Sequence, residues 1–132
     1  MRYFKSIIRG YHVYKEIWKP VTEEILPTKR EPDNKHDSDA IAIMKSEDVV
    51  GHVPKDISRI CSTFIARGGS IECKVMGPPR QQEHTMTKNE ERLEVPCIYK
   101  LSATDKQNLQ DVKKQFKRIH HSIAKWVHVK QW

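Results

Sequence analysis

Between Lys29 and Ile43 the chain reads KREPDNKHDSDAIAI, a run in which carboxylates, amide and imidazole crowd immediately before an apolar strand. Asp33, Asp37 and Asp39 are acceptor-only groups when ionised, Asn34 donates and accepts, and His36 does either by tautomer. Three chemistries use such a set. Paired acids can hold magnesium for phosphodiester hydrolysis, but such sites draw further acids from separate strands, and the strand patterns here supply mainly Glu72 and Glu94. Metal ligation could enlist His12, His36, His52 and Asp37, but no pair has ligand spacing and His120-His121 are adjacent. The third is recognition of a polar ligand, for which a lone carboxylate suits a hydroxyl donor and rejects a phosphate. No nucleophile motif, phosphate-cradling glycine loop or Walker lysine is present, so we expect neither an enzyme nor a cofactor. The bland alternative for Asp37 and Asn34 is turn capping, since both residue types bond their own backbone.

The elements that must position these groups follow from periodicity. SIIRGYHVY (residues 6–14) reads as a strand whose Gly10 marks a bulge or a close backbone approach, and VTEEIL as a second short strand. AIAIMK and VVGHV form a hairpin over residues 40–53. PKDISRICSTFIARGG is helical, with Ile57, Ile60, Cys61, Phe64 and Ile65 on one face and Gly68-Gly69 ending it. SIECKVMG alternates, residues 78–92 form a long loop, and LEVPCIYKL is a strand that Pro96 confines to an edge or a bulge. Thr104 N-caps a last helix whose Leu109, Val112, Phe116, Ile119 and Ile123 step by three and four. KWVHVKQW extends that helix or frays. Six strands and two helices in this order give a mainly β, α+β domain in the form of a small six-stranded OB-like barrel. Connections this short exclude a doubly wound parallel sheet.

At 132 residues the chain makes one domain, with a core over about residues 6–119 and a basic C-terminal extension from 120 to 132. The net charge is +7, and residues 104–132 carry seven Lys/Arg against two Asp, which fits either a polyanion partner or a solvated helix face. No apolar run is long enough for a signal peptide or a membrane span. Cys61, Cys73 and Cys97 lie inside apolar patterns without a C-x-x-C pair, as buried reduced thiols of an intracellular protein do.

Within this order of elements, IIRGYHVY, REPDNKHDSDAIAI and VVGHVPKDIS resemble a HIRAN domain, the small β-rich module found in some remodelling helicases and also free-standing. Gly10, Arg30, Glu31, Pro32, Asn34 and Asp37 meet that family's pattern, and so do Ala40, Ile41, Ile43, Gly51, His52 and Pro54. The resemblance implies an OB-like barrel that grips the 3′-hydroxyl end of single-stranded DNA, in a nuclear, repair-related setting. It implies a pocket formed by Tyr11, His12 and Val13 of the first strand with Asn34, Lys35, His36 and Asp37 of the loop, and His52 beside it. Asp37 matches the carboxylate that binds the terminal sugar hydroxyl. Two positions depart: His36 stands where DNA-binding members stack a Tyr, and His12-Val13 replaces Arg-Tyr. The second class of function is a protein-interaction module without a nucleic-acid ligand, anchored by Trp18, Trp126 and Trp132.

Overall fold

The computed structural model describes residues 1–81, 93–118, 124–130 and 132, and for His12 the backbone alone. Their elements run β1 (Arg2–Ile8), α1 (Tyr11–Tyr14), β2 (Ile25–Arg30), β3 (Ile41–Lys45), β4 (Asp48–His52), α2 (Lys55–Ala66), β5 (Ser70–Val75), β6 (Arg80–Gln81), β7 (Leu93–Ser102), α3 (Lys106–Phe116) and β8 (Lys125–Val127). The domain is mainly β with two full-length helices, as the periodicity predicts, but the sheet differs from the expected six-stranded barrel. It is one open antiparallel sheet of eight strands in the order β4-β3-β2-β5-β7-β1-β8, with β6 on β7. The sheet curls until β4 meets the end of β1. There Arg9 and His52 donate N–H to each other's carbonyl at 2.8 Å in both directions. A single backbone pair, rather than a full ladder, ties β4 to the residue that follows β1.

Glycine makes that approach possible. A Cβ on Gly51 would lie 2.3 Å from Ile8 Cγ2 and 3.1 Å from the Arg9 carbonyl. Gly10 then turns the chain out of β1 with φ of +80°, a left-handed conformation that side-chain-bearing residues rarely adopt. The expected strand over 6–14 is therefore two elements. β1 begins earlier and stops at Ile8, and YHVY folds as the one-turn helix α1. Alternation alone could not reveal this, because Tyr11 is buried in either conformation. Similarly, β2 starts at Ile25 rather than Val21 and runs through Lys29 and Arg30, which the sequence places in the loop.

Side chains on the inward faces make one core, with Phe4, Ile8, Ile41, Ile43, Cys73, Tyr99 and Leu101 essentially inaccessible. α2 closes one side with its expected face, and Gly68, at φ of +94°, ends it. α3 is capped by Asp105 rather than Thr104, its side chain accepting from the Gln107 N–H at 2.9 Å. Asn108 is buried between the helices and donates to the Phe64 carbonyl at 3.0 Å, which near the end of α2 also accepts from the Gly69 N–H at 3.0 Å. Ile119 and Ile123, which the sequence adds to the α3 face, lie outside the described residues.

The largest surprise is the C-terminus. Instead of extending the helix, Lys125–Val127 forms β8 and pairs with Tyr3–Lys5 of β1. Trp126 thereby packs on Phe4 and Phe116, with ring centroids 5.7 and 5.2 Å away. Residues 125–127 of the segment expected as a basic extension are part of the sheet. Pro96 also sits differently from expectation, inside the sheet between β5 and β1. Its carbonyl accepts from Met76 at 2.9 Å, just past the end of β5, so its missing N–H falls where the ladder stops.

The three cysteines are free and buried. Burial pushes the Cys61 thiol up to about 12. Burial also raises the Cys73 thiol well above its ordinary value, the neighbouring Cys97 adding to the effect. Cys61 and Cys73 are therefore poor nucleophiles. Glu24, at the entry to β2, is drawn the other way. Desolvation alone would raise its pKa, but hydrogen bonds from Lys45, the Val21 N–H and Trp18 together hold it below the usual value. These bonds are 2.8, 3.0 and 2.9 Å long. A carboxylate whose folded pKa is depressed contributes stability above its unfolded pKa and loses it as pH falls through the folded one. Glu24→Gln should accordingly cost about 1–3 kcal/mol at pH 7 and progressively less as pH falls below 4.5, in urea titrations of both proteins across that range.

Candidate nucleic-acid interface

The quoted loop answers its own density of short polar side chains by folding upon itself. Glu31 N–H and the Ala40 carbonyl close its neck at 2.9 Å, extending the β2–β3 pairing by one step. Inside it, Asn34 Oδ1 accepts from the backbone of His36 at 2.9 Å and of Asp37 at 3.2 Å, an Asx-type turn. Asn34 Nδ2 donates to Glu31 Oε1 at 3.3 Å, and the same oxygen lies 2.6 Å from His52 Nε2. Glu31 thus joins the loop to the sheet edge where β4 meets Arg9. The positions of Asn34, Glu31 and His52 are mutually dependent.

Asp37 carries both roles weighed from sequence. Its Oδ1 accepts from the Asp39 N–H at 2.9 Å, the capping role. Its Oδ2 accepts from the Ser58 hydroxyl at 3.1 Å, which fastens the loop to the first turn of α2. An ionised carboxylate offers about four acceptor positions, and these two bonds occupy two. Asp37 is half-buried and lines a cleft of about 440 Å³. Asn34, His36 and His52 share that cleft, and so do Arg9, Lys55 and Asp56. Two cations, Arg9 and the exposed Lys55, therefore line the same cleft as a held carboxylate, an arrangement suited to a ligand with one hydroxyl donor and neighbouring anionic groups. Tyr14 stands beside it, its ring 6.2 Å from that of His52. Burial first, and Glu31 second, raise the Tyr14 pKa, so its hydroxyl stays protonated as a donor.

Of the residues singled out from sequence, Asn34, His36, Asp37 and His52 come together at this cleft. Lys35 is exposed on the loop and is not among the lining residues. Tyr11 does not reach it. Only 4% exposed, Tyr11 packs against Trp18 with centroids 5.8 Å apart and donates its hydroxyl to the Trp18 carbonyl at 3.1 Å. Val13 points into solvent at 65% exposure, and the His12 side chain lies outside the described residues. Trp18 is 4% exposed, which removes it from the surface anchors, and Trp126 is engaged by Phe4 and Phe116. Sequence reasoning missed Arg9, Lys55 and Asp56 as cleft residues. Arg9 adjoins Gly10, and Lys55-Asp56 follow the GHVP segment, so their nearness to the motifs was the available signal. Among the described residues no three His, Cys, Asp or Glu side chains converge as a metal site.

The comparisons with known proteins decide the lineage. The family model for the HIRAN domain matches residues 1–95, well over half of the chain. The chain belongs to the HIRAN domain family. Its fold is similar to the crystal structure of the HIRAN domain of human HLTF, with a TM-score of 0.66 at 18% identity, covering 88% of this chain and 87% of that one. The NMR structure of the HLTF HIRAN domain in its DNA-bound conformation gives a TM-score of 0.62 at 19% identity, covering 89% and 88% of the two chains. A crystal structure of a protein from Lactobacillus plantarum also resembles it, with a TM-score of 0.51 at 13% identity and coverage of 77% and 95%. No curated protein matches the chain significantly. In this HIRAN domain the loop motif and the GH dipeptide, 21 residues apart, meet through the Glu31–His52 contact.

Proposed function

We propose that this HIRAN domain binds DNA without catalysing a reaction on it, holding the free 3′-hydroxyl end of a single strand in the cleft beside Asp37. The observation that carries the reading is the half-buried Asp37 carboxylate, fixed by Asp39 and Ser58 yet with acceptor positions left, in a cleft that Arg9 and Lys55 also line. The family membership and the DNA-bound relative support DNA as the ligand. In this reading the terminal sugar hydroxyl donates to Asp37 while Arg9, Lys55 and the exposed Lys35 face the preceding phosphates. His36 takes the place of the stacking Tyr, and Tyr14 beside His52 supplies a second ring. A 3′-phosphate would bring a dianion against Asp37 and remove the donor, so the site distinguishes an end from a continuing strand. A nuclear role in handling DNA ends follows from this reading.

Fluorescence anisotropy with labelled single-stranded oligonucleotides tests it. A free 3′-hydroxyl oligonucleotide should bind at least about tenfold more tightly than its 3′-phosphorylated counterpart, a difference of about 1.4 kcal/mol. Equal affinities would leave general DNA binding and remove end recognition. Binding to neither would favour protein docking, for which Val13, Ile17 and Val21, each more than 60% exposed, are better placed than the tryptophans.

A further inference from the structure

The solvent face of the β5–β7–β1–β8 region has a composition that the cleft does not use. Strand alternation buries Phe4, Cys73, Tyr99 and Leu101 and turns their neighbours outward. Register then aligns them in rows. Lys125 lies opposite Lys5, Lys5 opposite Ile98, and Ile98 opposite Lys74, while Tyr3 lies opposite Lys100. Four lysines thus cross four adjacent strands, a width of about 14 Å. Trp132 returns over this face, its ring 5.5 Å from that of Tyr3. The ammonium groups of Lys74 and Lys100 stand 5.6 and 5.7 Å from its centroid. The acid sharing the patch is Glu72, 3.8 Å from Lys100. Glu94, further along β7, is buried and bound to Arg80 at 3.2 Å. At the edge of the sheet a separate cleft of about 420 Å³ is lined by Tyr3 together with Arg2, Lys113 and Trp126.

We propose that this face is a second binding surface for single-stranded nucleic acid, separate from the Asp37 cleft. It holds phosphates with Lys5, Lys74, Lys100 and Lys125 and stacks a base on the part of the half-buried Trp132 ring that solvent reaches. Cations interleaved with aromatic rings, with one carboxylate among them, complement a phosphodiester chain. Charge tracks the backbone, and the rings accept any base. An acidic protein would satisfy the lysines but has no need of the tilted Tyr3–Trp132 ring pair. The inference rests on the chain being a nucleic-acid binder, and it is independent of whether the cleft reads an end.

The test compares oligothymidylates of about 4 and about 20 nucleotides, both ending in a free 3′-hydroxyl, on the full chain and on three variants. Lys5→Glu/Lys125→Glu should weaken the long oligonucleotide tenfold or more, leave the short one within twofold, and lower the salt slope by about 1.4. Trp132→Ala should weaken the long one by roughly tenfold without altering that slope. Lys5→Arg/Lys125→Arg should restore wild-type affinity. Unchanged long-oligonucleotide affinity and slope in the reversal variant would overturn the inference while end recognition stands. A strong variant effect with no 3′-end preference would uphold it while end recognition fails. No oligonucleotide binding by the unaltered chain, or binding only to phosphatidylserine vesicles, would overturn it.

Discussion

Truncating Phe4 to Ala should lower the unfolding free energy by about 3–5 kcal/mol, the range for removing a fully buried aromatic ring from a core that cannot collapse around the void. Phe4 is 1% exposed, and its ring meets Tyr99 of β7, Phe116 of α3 and Trp126 of β8, at 5.1, 5.0 and 5.7 Å. No other ring contacts three separate elements in this way among the described residues. The loss therefore exceeds that of a peripheral phenylalanine. It also tests the place of the C-terminal strand: with β8 in the sheet, Phe4→Ala should shift the Trp126 environment together with the urea midpoint. A cost below about 1 kcal/mol would mean that the ring cluster does not hold these elements.

Gly51→Ala should cost about 3–5 kcal/mol. An added Cβ at 2.3 Å from Ile8 Cγ2 cannot be accommodated by rotation, because Ile8 is β-branched and fully buried. The end of β1 must then withdraw from β4, breaking the two 2.8 Å hydrogen bonds between Arg9 and His52. Overpacking accounts for about 1–3 kcal/mol of that figure and each lost bond for about 1. The functional effect should be larger than for a core variant of equal stability. The withdrawn segment carries Arg9, and His52 is the anchor of Glu31 and hence of the loop. Wild-type oligonucleotide affinity in Gly51→Ala, at a temperature where it is folded, would show that the cleft does not depend on that closure.

Much of this architecture was readable from pattern. The 40–53 hairpin, the α2 face from Ile57 to Ile65 and the alternation of Ile71, Cys73 and Val75 all signal their elements, because burial follows one period in each. The failures share a cause: tertiary contacts chose between local alternatives of similar propensity. YHVY has strand propensity, yet a left-handed Gly10 lets it turn and bury Tyr11 against Trp18. KWV continues the periodicity of α3, yet the free edge of β1 offers backbone partners. In the candidate site, Asn34, His36, Asp37 and His52 could be named because they lie in spaced motifs. Arg9 and Lys55 could not, because only the curl of the sheet and the start of α2 bring them to the loop. Nor does any sequence spacing reveal that Ser58 binds Asp37 or that Glu31 reaches His52, contacts between residues 21 positions apart in both cases.

The central claim is that Asp37 recognises a terminal sugar hydroxyl, and the most direct measurement removes that hydroxyl alone. Affinities of otherwise identical 3′-hydroxyl and 3′-dideoxy oligonucleotides should be determined for the unaltered domain and for Asp37→Asn, which keeps an acceptor for the Asp39 N–H. A hydrogen bond to a charged acceptor contributes about 1.5–3 kcal/mol, so the unaltered domain should prefer the hydroxyl end by about tenfold or more. The variant should prefer it far less. General damage to the loop would weaken both oligonucleotides alike and leave their ratio intact. A preference that survives in Asp37→Asn, or is missing from the unaltered domain, would contradict the account.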